Sequence, residues 1–200
     1  FADWKKQIDS WKTKYPLGNI YGVKSKVTPF SIIQEINRVF EDAVITTDVG
    51  QNQLWTTQFL ELTDKKQMLT SGGLGTMGYG LPAAIGAKIG NPYKDVIAIC
   101  GDGGIQMNIQ EMATAVVYEL PVIICILNNG YLGNVRQWQE MFYKKRYSCT
   151  CLRYRKNCAT FCNTPSACCP DYIPDFIRLA ESYGAKAFRV QRPEDIKTTL

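Results

Sequence analysis

Residues 96–130 read VIAICGDGGIQMNIQEMATAVVYELPVIICILNNG, and this stretch decides the fold. It contains two continuously apolar runs, Val96 to Cys100 and Val122 to Leu127, which are typical of strands covered on both faces. Between them, residues 106–120 carry apolar side chains at the spacing of an amphipathic helix. The order strand, helix, strand predicts a right-handed crossover within a parallel sheet.

The preceding residues extend the same pattern. Thr28-Pro29 is a helix-start signal, with Thr at the N-cap and Pro in the first turn, and it predicts a helix from 29 to about 40. A β-branched run at residues 43–47 then predicts another strand, whereas residues 67–70 make a poor strand. The predicted fold class is α/β, with a doubly wound, mostly parallel sheet flanked by helices.

Towards the C-terminus, we predict a helix at residues 174–183 and a strand at residues 185–190. The chain stops inside a further helix opened by Pro193. We expect a linker from a preceding domain at residues 1–27, because Phe1 starts the chain without the apolar centre of a signal peptide. The predicted domain spans residues 28–200 and is cut at its C-terminus.

Composition narrows the class of protein. The chain is 46% hydrophobic and 20% charged, as in ordinary globular proteins. Its longest apolar runs are far shorter than the ~20 residues of a membrane helix, so we expect no membrane partner. Six of its basic residues lie between Lys144 and Lys156 with no acid among them. So short a basic stretch is more typical of a solvated loop, and we expect no nucleic-acid partner.

Two polar segments follow the two apolar runs directly. Gly101-Asp102-Gly103-Gly104 comes after the first run, and Asn128-Asn129-Gly130 after the second. Each alone is typical of a surface turn, but one crossover would bring Asn129 level with Asp102 at the carboxyl edge, where ligands bind. Their oxygens suit magnesium, which keeps phosphate oxygens and water as further ligands, and the glycines allow backbone N–H groups to approach a phosphate. The sequence therefore predicts a diphosphate–magnesium site.

This spacing, Gly101-Asp102-Gly103, 24 residues and then Asn128-Asn129, resembles the motif of thiamine-diphosphate enzymes. Within that superfamily, residues 71–87 (SGGLGTMGYGLPAAIGA) and 135–139 (VRQWQ) resemble acetolactate synthase catalytic subunits. The likeness runs from about Asp3 to Ser148 and resumes at Pro174. It implies a transferase of branched-chain amino acid biosynthesis that decarboxylates pyruvate and condenses it with a second 2-keto acid, pyruvate or 2-ketobutyrate.

The resemblance also implies the site residues. Magnesium would be held by the side chains of Asp102 and Asn129 and by the backbone carbonyl of Tyr131. The implied cofactor contacts are Gly50, Gln51, Asn52, Gly75, Thr76, Met77, Asp102, Gly103, Gly104, Asn129 and Tyr131. Trp138 would shape the pocket for the second keto acid, whereas a Trp in an amphipathic helix is otherwise a core anchor. The family usually has His at Asn52 and Met at Asn134, and this chain departs from it at both positions.

Further parts of the enzyme are implied outside this chain. The family binds thiamine diphosphate with magnesium here, and FAD on a middle domain. Its catalytic glutamate lies on the pyrimidine-binding domain of a partner subunit, which implies a homodimer or tetramer, with a regulatory subunit in some systems. We therefore expect no catalytic residue in this chain, no activity from the chain alone, and a cytoplasmic location.

A cysteine-rich insertion at about residues 149–173 is not explained by the resemblance. Its six cysteines are Cys149, Cys151, Cys158, Cys162, Cys168 and Cys169. A second metal site, holding zinc or an iron–sulfur cluster, is one use for so many thiols. Unpaired thiols are the second, and disulfides, which a reducing cytosol disfavours, the third.

Three rival functions remain. Gly73 to Gly78 satisfies G-x-G-x-x-G and suggests a nicotinamide or flavin dehydrogenase, although a lone match is weak and no clear strand precedes it. Another thiamine-diphosphate decarboxylase, oxidase or carboligase would share the metal motif but not the segment at residues 136–139. A non-catalytic folding or assembly fragment is the third.

Overall fold

A computed structural model describes residues 1–16, 26–153 and 173–200. Four of the clustered cysteines, Cys158, Cys162, Cys168 and Cys169, lie outside these ranges. The helices are α1 (Ala2–Lys14), α2 (Pro29–Val39), α3 (Gln51–Phe59), α4 (Gly80–Gly90), α5 (Asp102–Ile105), α6 (Glu111–Val117), α7 (Gly133–Phe142), α8 (Phe176–Ser182) and α9 (Ile196–Thr199), with a 3₁₀ turn at Pro193–Asp195. The strands are β1 (Ala43–Thr47), β2 (Gln67–Leu69), β3 (Asp95–Gly101) and β4 (Ile123–Leu127).

The four strands form one parallel sheet in the order β2-β1-β3-β4. Helices cover both faces, so the predicted α/β class with a parallel sheet flanked by helices is confirmed. The β2 strand is a correction, since residues 67–70 were expected to make a poor strand. Residues 67–69 pair in parallel with β1, because even a three-residue segment can satisfy backbone groups at the edge of a sheet.

Alternate residues of β1 and β3 pack into two cores, one on each face of the sheet, which explains why residues 43–45 and 96–100 are apolar without interruption. On one face, Val44, Val96, Ala98 and Cys100 pack with Leu81 and Ala84 of α4 and Met112 of α6. On the other face, Ala43, Ile45, Ile97 and Ile99 pack with Ile36 of α2 and with Phe40. Burial on both faces holds the strand ends rigidly at the carboxyl edge of the sheet.

The predicted helix at residues 106–120 is wrong at its start. Helix α6 covers only Glu111–Val117, and residues 106–110 form turns after the single-turn helix α5. The side-chain amide of Asn108 donates a hydrogen bond to the carbonyl of Gly78 at 2.9 Å. Residues 106–110 therefore form turns that make a long-range hydrogen bond, although their apolar spacing predicted a helix.

The predicted strand at residues 185–190 does not form. These residues have no strand pairing, and the side chain of Phe188 is 69% exposed. In the described residues β4 remains the edge of the sheet. The neighbouring predictions are confirmed, since α8 begins after the N-cap Asp175, and Pro193 opens the last helical segment.

Helix α2 begins as its sequence predicts. Thr28 accepts a hydrogen bond from the N–H of Ser31, and the Ser31 hydroxyl accepts one from the N–H of Thr28. This reciprocal pair satisfies two backbone donors that a helix start leaves free. Across the ranges that the structure describes, no helix combines the length and apolar character needed to cross a membrane.

Candidate active site

Strand pairing brings the two predicted metal ligands together. Gly101 at the end of β3 pairs with Leu127 at the end of β4, so the residues that follow them lie side by side. The N–H of Gly130 donates a hydrogen bond to Asp102 Oδ2 at 2.5 Å. The predicted juxtaposition of Asp102 and the Asn129 turn is confirmed, and both segments lie at the carboxyl edge of the sheet.

Asp102 is 1% exposed. Burial raises the pKa of this carboxyl group, and the N–H groups of Gly130 and Gly103 act in the opposite direction by hydrogen bonding to the carboxylate. A buried carboxylate is stabilised most by a positive charge beside it, because burial penalises its ionised form.

Oxygen atoms make up the donor set beside Asp102. The Oδ1 atom of Asn129 lies in the same turn, where it accepts the N–H of Tyr131 at 2.9 Å. A carboxylate and an amide oxygen at one sheet edge are the ligands that magnesium prefers. The residues present therefore fit a hard divalent cation.

An open cleft lies over this edge. Its empty volume is about 540 Å³, which includes the space open to solvent. Nine of the predicted cofactor contacts line it, namely Gly50, Gln51, Asn52, Met77, Asp102, Gly103, Gly104, Asn129 and Tyr131. Gly75 and Thr76 are exposed on the loop that leads to Met77 and do not line the cleft. Trp138 does not line it either, and its side chain is 52% exposed.

Glycine is required at the start of α3, where the chain turns from β1 into the cleft wall. Gly50 has φ +130°, a conformation that side chains disfavour, and it serves as the N-cap of α3. Gly50 and the first two residues of this nine-residue helix, Gln51 and Asn52, line the cleft. Such a helix start is suited to an anionic group such as a phosphate.

A comparison with known families agrees with this geometry. The family described as "Thiamine pyrophosphate enzyme, C-terminal TPP binding domain" matches residues 48–200. The chain belongs to the thiamine pyrophosphate enzymes. The matched range contains every residue that lines the cleft.

Among relatives, this thiamine pyrophosphate domain is similar to acetolactate synthase large subunits. It is 43% identical to that of Cyanidium caldarium over 98% of the chain, and 40% identical to the isozyme 3 large subunit of Escherichia coli over 99%. It is 46% identical over 84% of the chain to a probable acetolactate synthase large subunit of Methanocaldococcus jannaschii. The chain spans only 26 to 31% of the length of these relatives.

The amide of Asn52 in the thiamine pyrophosphate domain is already engaged by the backbone. Asn52 is 3% exposed, and its Nδ2 donates to the carbonyl of Asp48 at 3.0 Å and to that of Ile99 at 2.9 Å. These bonds tie the end of β1 to the end of β3. Asn52 therefore offers the cleft its amide oxygen, while both of its N–H donors hold the sheet edge together.

Gln51 connects three parts of the cleft wall. Its Oε1 accepts a hydrogen bond from Asn129 Nδ2 at 3.3 Å, and its Nε2 donates to Gln137 Oε1 of α7 at 3.0 Å. A β-carbon at Gly133, at the start of α7, would overlap Gln51 Oε1 and would displace that side-chain amide. These contacts place α7 against the same wall as Asn129.

Sequence reasoning missed Asp48, which is 1% exposed at the end of β1. Its carboxylate accepts hydrogen bonds from the N–H groups of Val49 at 2.8 Å, Gly78 at 3.0 Å and Gly80 at 3.2 Å. It thereby fixes the loop that carries Met77. The signal was available, because Asp48 directly follows a predicted strand as Asp102 does.

Asp48 also weighs against the dinucleotide hypothesis for Gly73 to Gly78. In that hypothesis a pyrophosphate occupies the start of the helix that follows the glycines, which here is α4. The Asp48 carboxylate already accepts the N–H of Gly80 at that position. An anion bound there would face a carboxylate, and like charges at such a distance repel.

Proposed function

We propose that this chain binds magnesium and the diphosphate of thiamine diphosphate within an acetolactate synthase, a transferase that decarboxylates pyruvate and condenses it with a second 2-keto acid. The observation that carries the proposal is the juxtaposition of Asp102 with the Asn129 turn in the cleft. The similarity to acetolactate synthase large subunits supports the choice of reaction. Another thiamine-diphosphate decarboxylase, oxidase or carboligase is the alternative.

In this proposal the side chains of Asp102 and Asn129 and the carbonyl of Tyr131 hold the magnesium ion. The residues that bind the diphosphate are Gly50, Gln51, Asn52, Gly103 and Gly104, and those that face the pyrimidine ring are Gly75, Thr76 and Met77. When bound, thiamine diphosphate supplies the electron sink for loss of carbon dioxide. The chain's own residues bind and orient it, and the apolar side chains of Trp55, Leu127 and Leu132 exclude water from the cleft wall.

Acid–base groups must come from elsewhere. Of the described residues that line the cleft, only Asp102 and Tyr131 carry an ionisable side chain. In the proposal, a glutamate on the pyrimidine-binding domain of a partner subunit completes the site. A homodimer or tetramer, an FAD-binding middle domain, a regulatory subunit and a cytoplasmic location belong to the same proposal, with residues 1–27 as the linker to the preceding domain and residues 28–200 as the diphosphate-binding domain.

A second metal site in the cysteine-rich insertion remains a separate hypothesis. Cys149 is exposed, Cys151 is half-buried, and both are free thiols. The described ranges contain no group of three or more His, Cys, Asp or Glu side chains that could hold a metal ion. Elemental analysis for zinc and iron in protein purified without a metal column tests the hypothesis.

Calorimetry on the natural polypeptide that carries this chain tests the main proposal. Magnesium with thiamine diphosphate should raise the thermal midpoint, because a ligand at a hundredfold excess over its dissociation constant stabilises by about 2.7 kcal/mol. Asp102→Ala should abolish the rise, since it removes the anionic ligand from a site that holds a dication and a polyanion. Magnesium with NAD should give no rise in either protein.

Asp95→Asn is the matched control, because Asp95 is exposed at the opposite end of the same strand. It should keep the full response to magnesium and thiamine diphosphate. An unchanged response in Asp102→Ala would refute the metal assignment. A response to NAD in the wild type would favour the dinucleotide hypothesis.

A further inference from the structure

The turn that contains Tyr131, whose backbone carbonyl is proposed as a metal ligand, is paired with a later segment, residues 147–152. The N–H of Leu132 donates to the carbonyl of Thr150 at 2.8 Å, and the N–H of Leu152 donates to that of Gly130 at 3.0 Å. Tyr131 and Cys151 lie opposite each other in this short antiparallel bridge. The backbone position of Tyr131 therefore depends on where the 147–152 segment lies.

Gln139 of α7 holds this segment by its backbone. Its Nε2 donates to the carbonyl of Ser148 at 2.9 Å, and its Oε1 accepts the N–H of Ser148 at 3.2 Å. The same Oε1 accepts the hydroxyl of Thr150 at 3.3 Å, and Thr150 is 2% exposed. The side-chain amide of Gln139 thus bonds both backbone groups of Ser148, as a neighbouring strand would.

Arg136 lies three residues before Gln139, which places both on one face of α7. Its guanidinium carbon is 3.6 Å from the ring centroid of Tyr147 and 4.5 Å from that of Tyr131. Tyr147 is 7% exposed. Contact of a guanidinium with aromatic rings is favourable, and here Arg136 contacts both the segment and the turn.

We propose that Arg136 and Gln139 are positioning residues that set the metal affinity of the cleft. They anchor the 147–152 segment, and this segment fixes the turn whose Gly130 N–H bonds Asp102 and whose Tyr131 carbonyl faces the metal in the proposed function, on which the inference rests. A carbonyl ligand has no side chain of its own to place it, so its position depends on the backbone on either side. Residues that orient metal ligands in this indirect way typically change metal affinity 10- to 100-fold when removed, about the effect expected here.

The test is a calorimetric titration of the natural polypeptide with magnesium in the presence of excess thiamine diphosphate. Gln139→Ala and Arg136→Leu should each raise the dissociation constant for magnesium by about tenfold or more. Arg136→Lys keeps a cation near the two rings and should recover part of the affinity. Circular dichroism well below the unfolding temperature establishes that each variant is folded. In a folded variant, the loss of a purely structural contact would leave the dissociation constant for magnesium unchanged.

Glu140→Ala is the control on the same helix. Glu140 is exposed and pairs with Lys145 at 3.9 Å, so its loss should leave the magnesium constant as in the wild type. If Gln139→Ala does not fold, Gln139→Glu, which keeps the acceptor but loses the donor, carries the test with Arg136→Lys. Unchanged magnesium constants in folded variants, or an equal rise in Glu140→Ala, overturn the inference. A wild type that does not bind magnesium with thiamine diphosphate overturns the proposed function itself, and this inference with it.

Discussion

Gly104, in helix α5 directly after β3, lies next to Asp48, which follows β1. A β-carbon at Gly104 would overlap the carboxyl group of Asp48. That carboxyl cannot move away without losing the N–H donors of Val49, Gly78 and Gly80. The glycine is therefore required by the close approach of Asp48, independently of any phosphate contact.

At this position we expect Gly104→Ala to lower stability by about 1–3 kcal/mol, the usual cost of forcing an extra carbon into a well-packed interior. The thermal midpoint of the natural polypeptide measures the loss. Gly86→Ala is the matched control, since Gly86 lies within α4 and its β-carbon would meet no atom within 4 Å. It should raise stability by about 0.5–1 kcal/mol, because Ala favours a helix over Gly. Equal shifts in the two variants would contradict the packing argument.

At the scale of elements, α7 has two different faces. One face carries Arg136 and Gln139 and contacts the 147–152 segment. The other is apolar and open, with Val135, Trp138 and Met141 exposed by 44%, 52% and 62%. The interpretation of Trp138 as a core anchor is therefore not supported in the described residues, and a role in a substrate pocket remains a prediction.

We expect Trp138→Leu to change the ratio of 2-ketobutyrate to pyruvate used as second substrate, because a smaller side chain widens the pocket that the resemblance implies. Stability should change by no more than about 0.5 kcal/mol, as for exposed positions generally. Competition between the two keto acids in the natural polypeptide measures the ratio. Met141→Leu, on the same face, should leave it unchanged. An unaltered ratio in Trp138→Leu would exclude the pocket role.

For the whole molecule, the ionisable groups of the cleft are few, and in the proposed function Asp102 holds the metal while the Tyr131 ring contacts Arg136. The described lining of the cleft has no ionisable side chain beyond Asp102 and Tyr131. We therefore expect a polypeptide of residues 1–200 to form no acetolactate from pyruvate, even with magnesium and thiamine diphosphate present. The natural polypeptide should form it under the same conditions, and a colorimetric product assay compares the two. Turnover by residues 1–200 alone would show that the site is complete within this chain.

Local patterns in the sequence were sufficient for strands β1, β3 and β4 and for the juxtaposition of Asp102 with the Asn129 turn. The apolar run of β3 is buried and that of β4 packs partly buried against both cores, so their length and composition identify them. The crossover rule then places Asp102 beside Asn129. The Thr28-Pro29 start of α2 was equally predictable, because a helix cap is made by residues close in sequence.

Only the tertiary structure decided the remaining features, because each depends on residues far apart in the chain. The turns at residues 106–110 accompany the bond from Asn108 to Gly78, and residues 185–190 have strand-like composition but no strand beside them. The carboxylate of Asp48 and the guanidinium of Arg136 take their roles from groups that the fold brings to them. Periodicity determines which segments can form helices and strands, whereas long-range hydrogen bonds and packing determine where the polar side chains at their ends are satisfied.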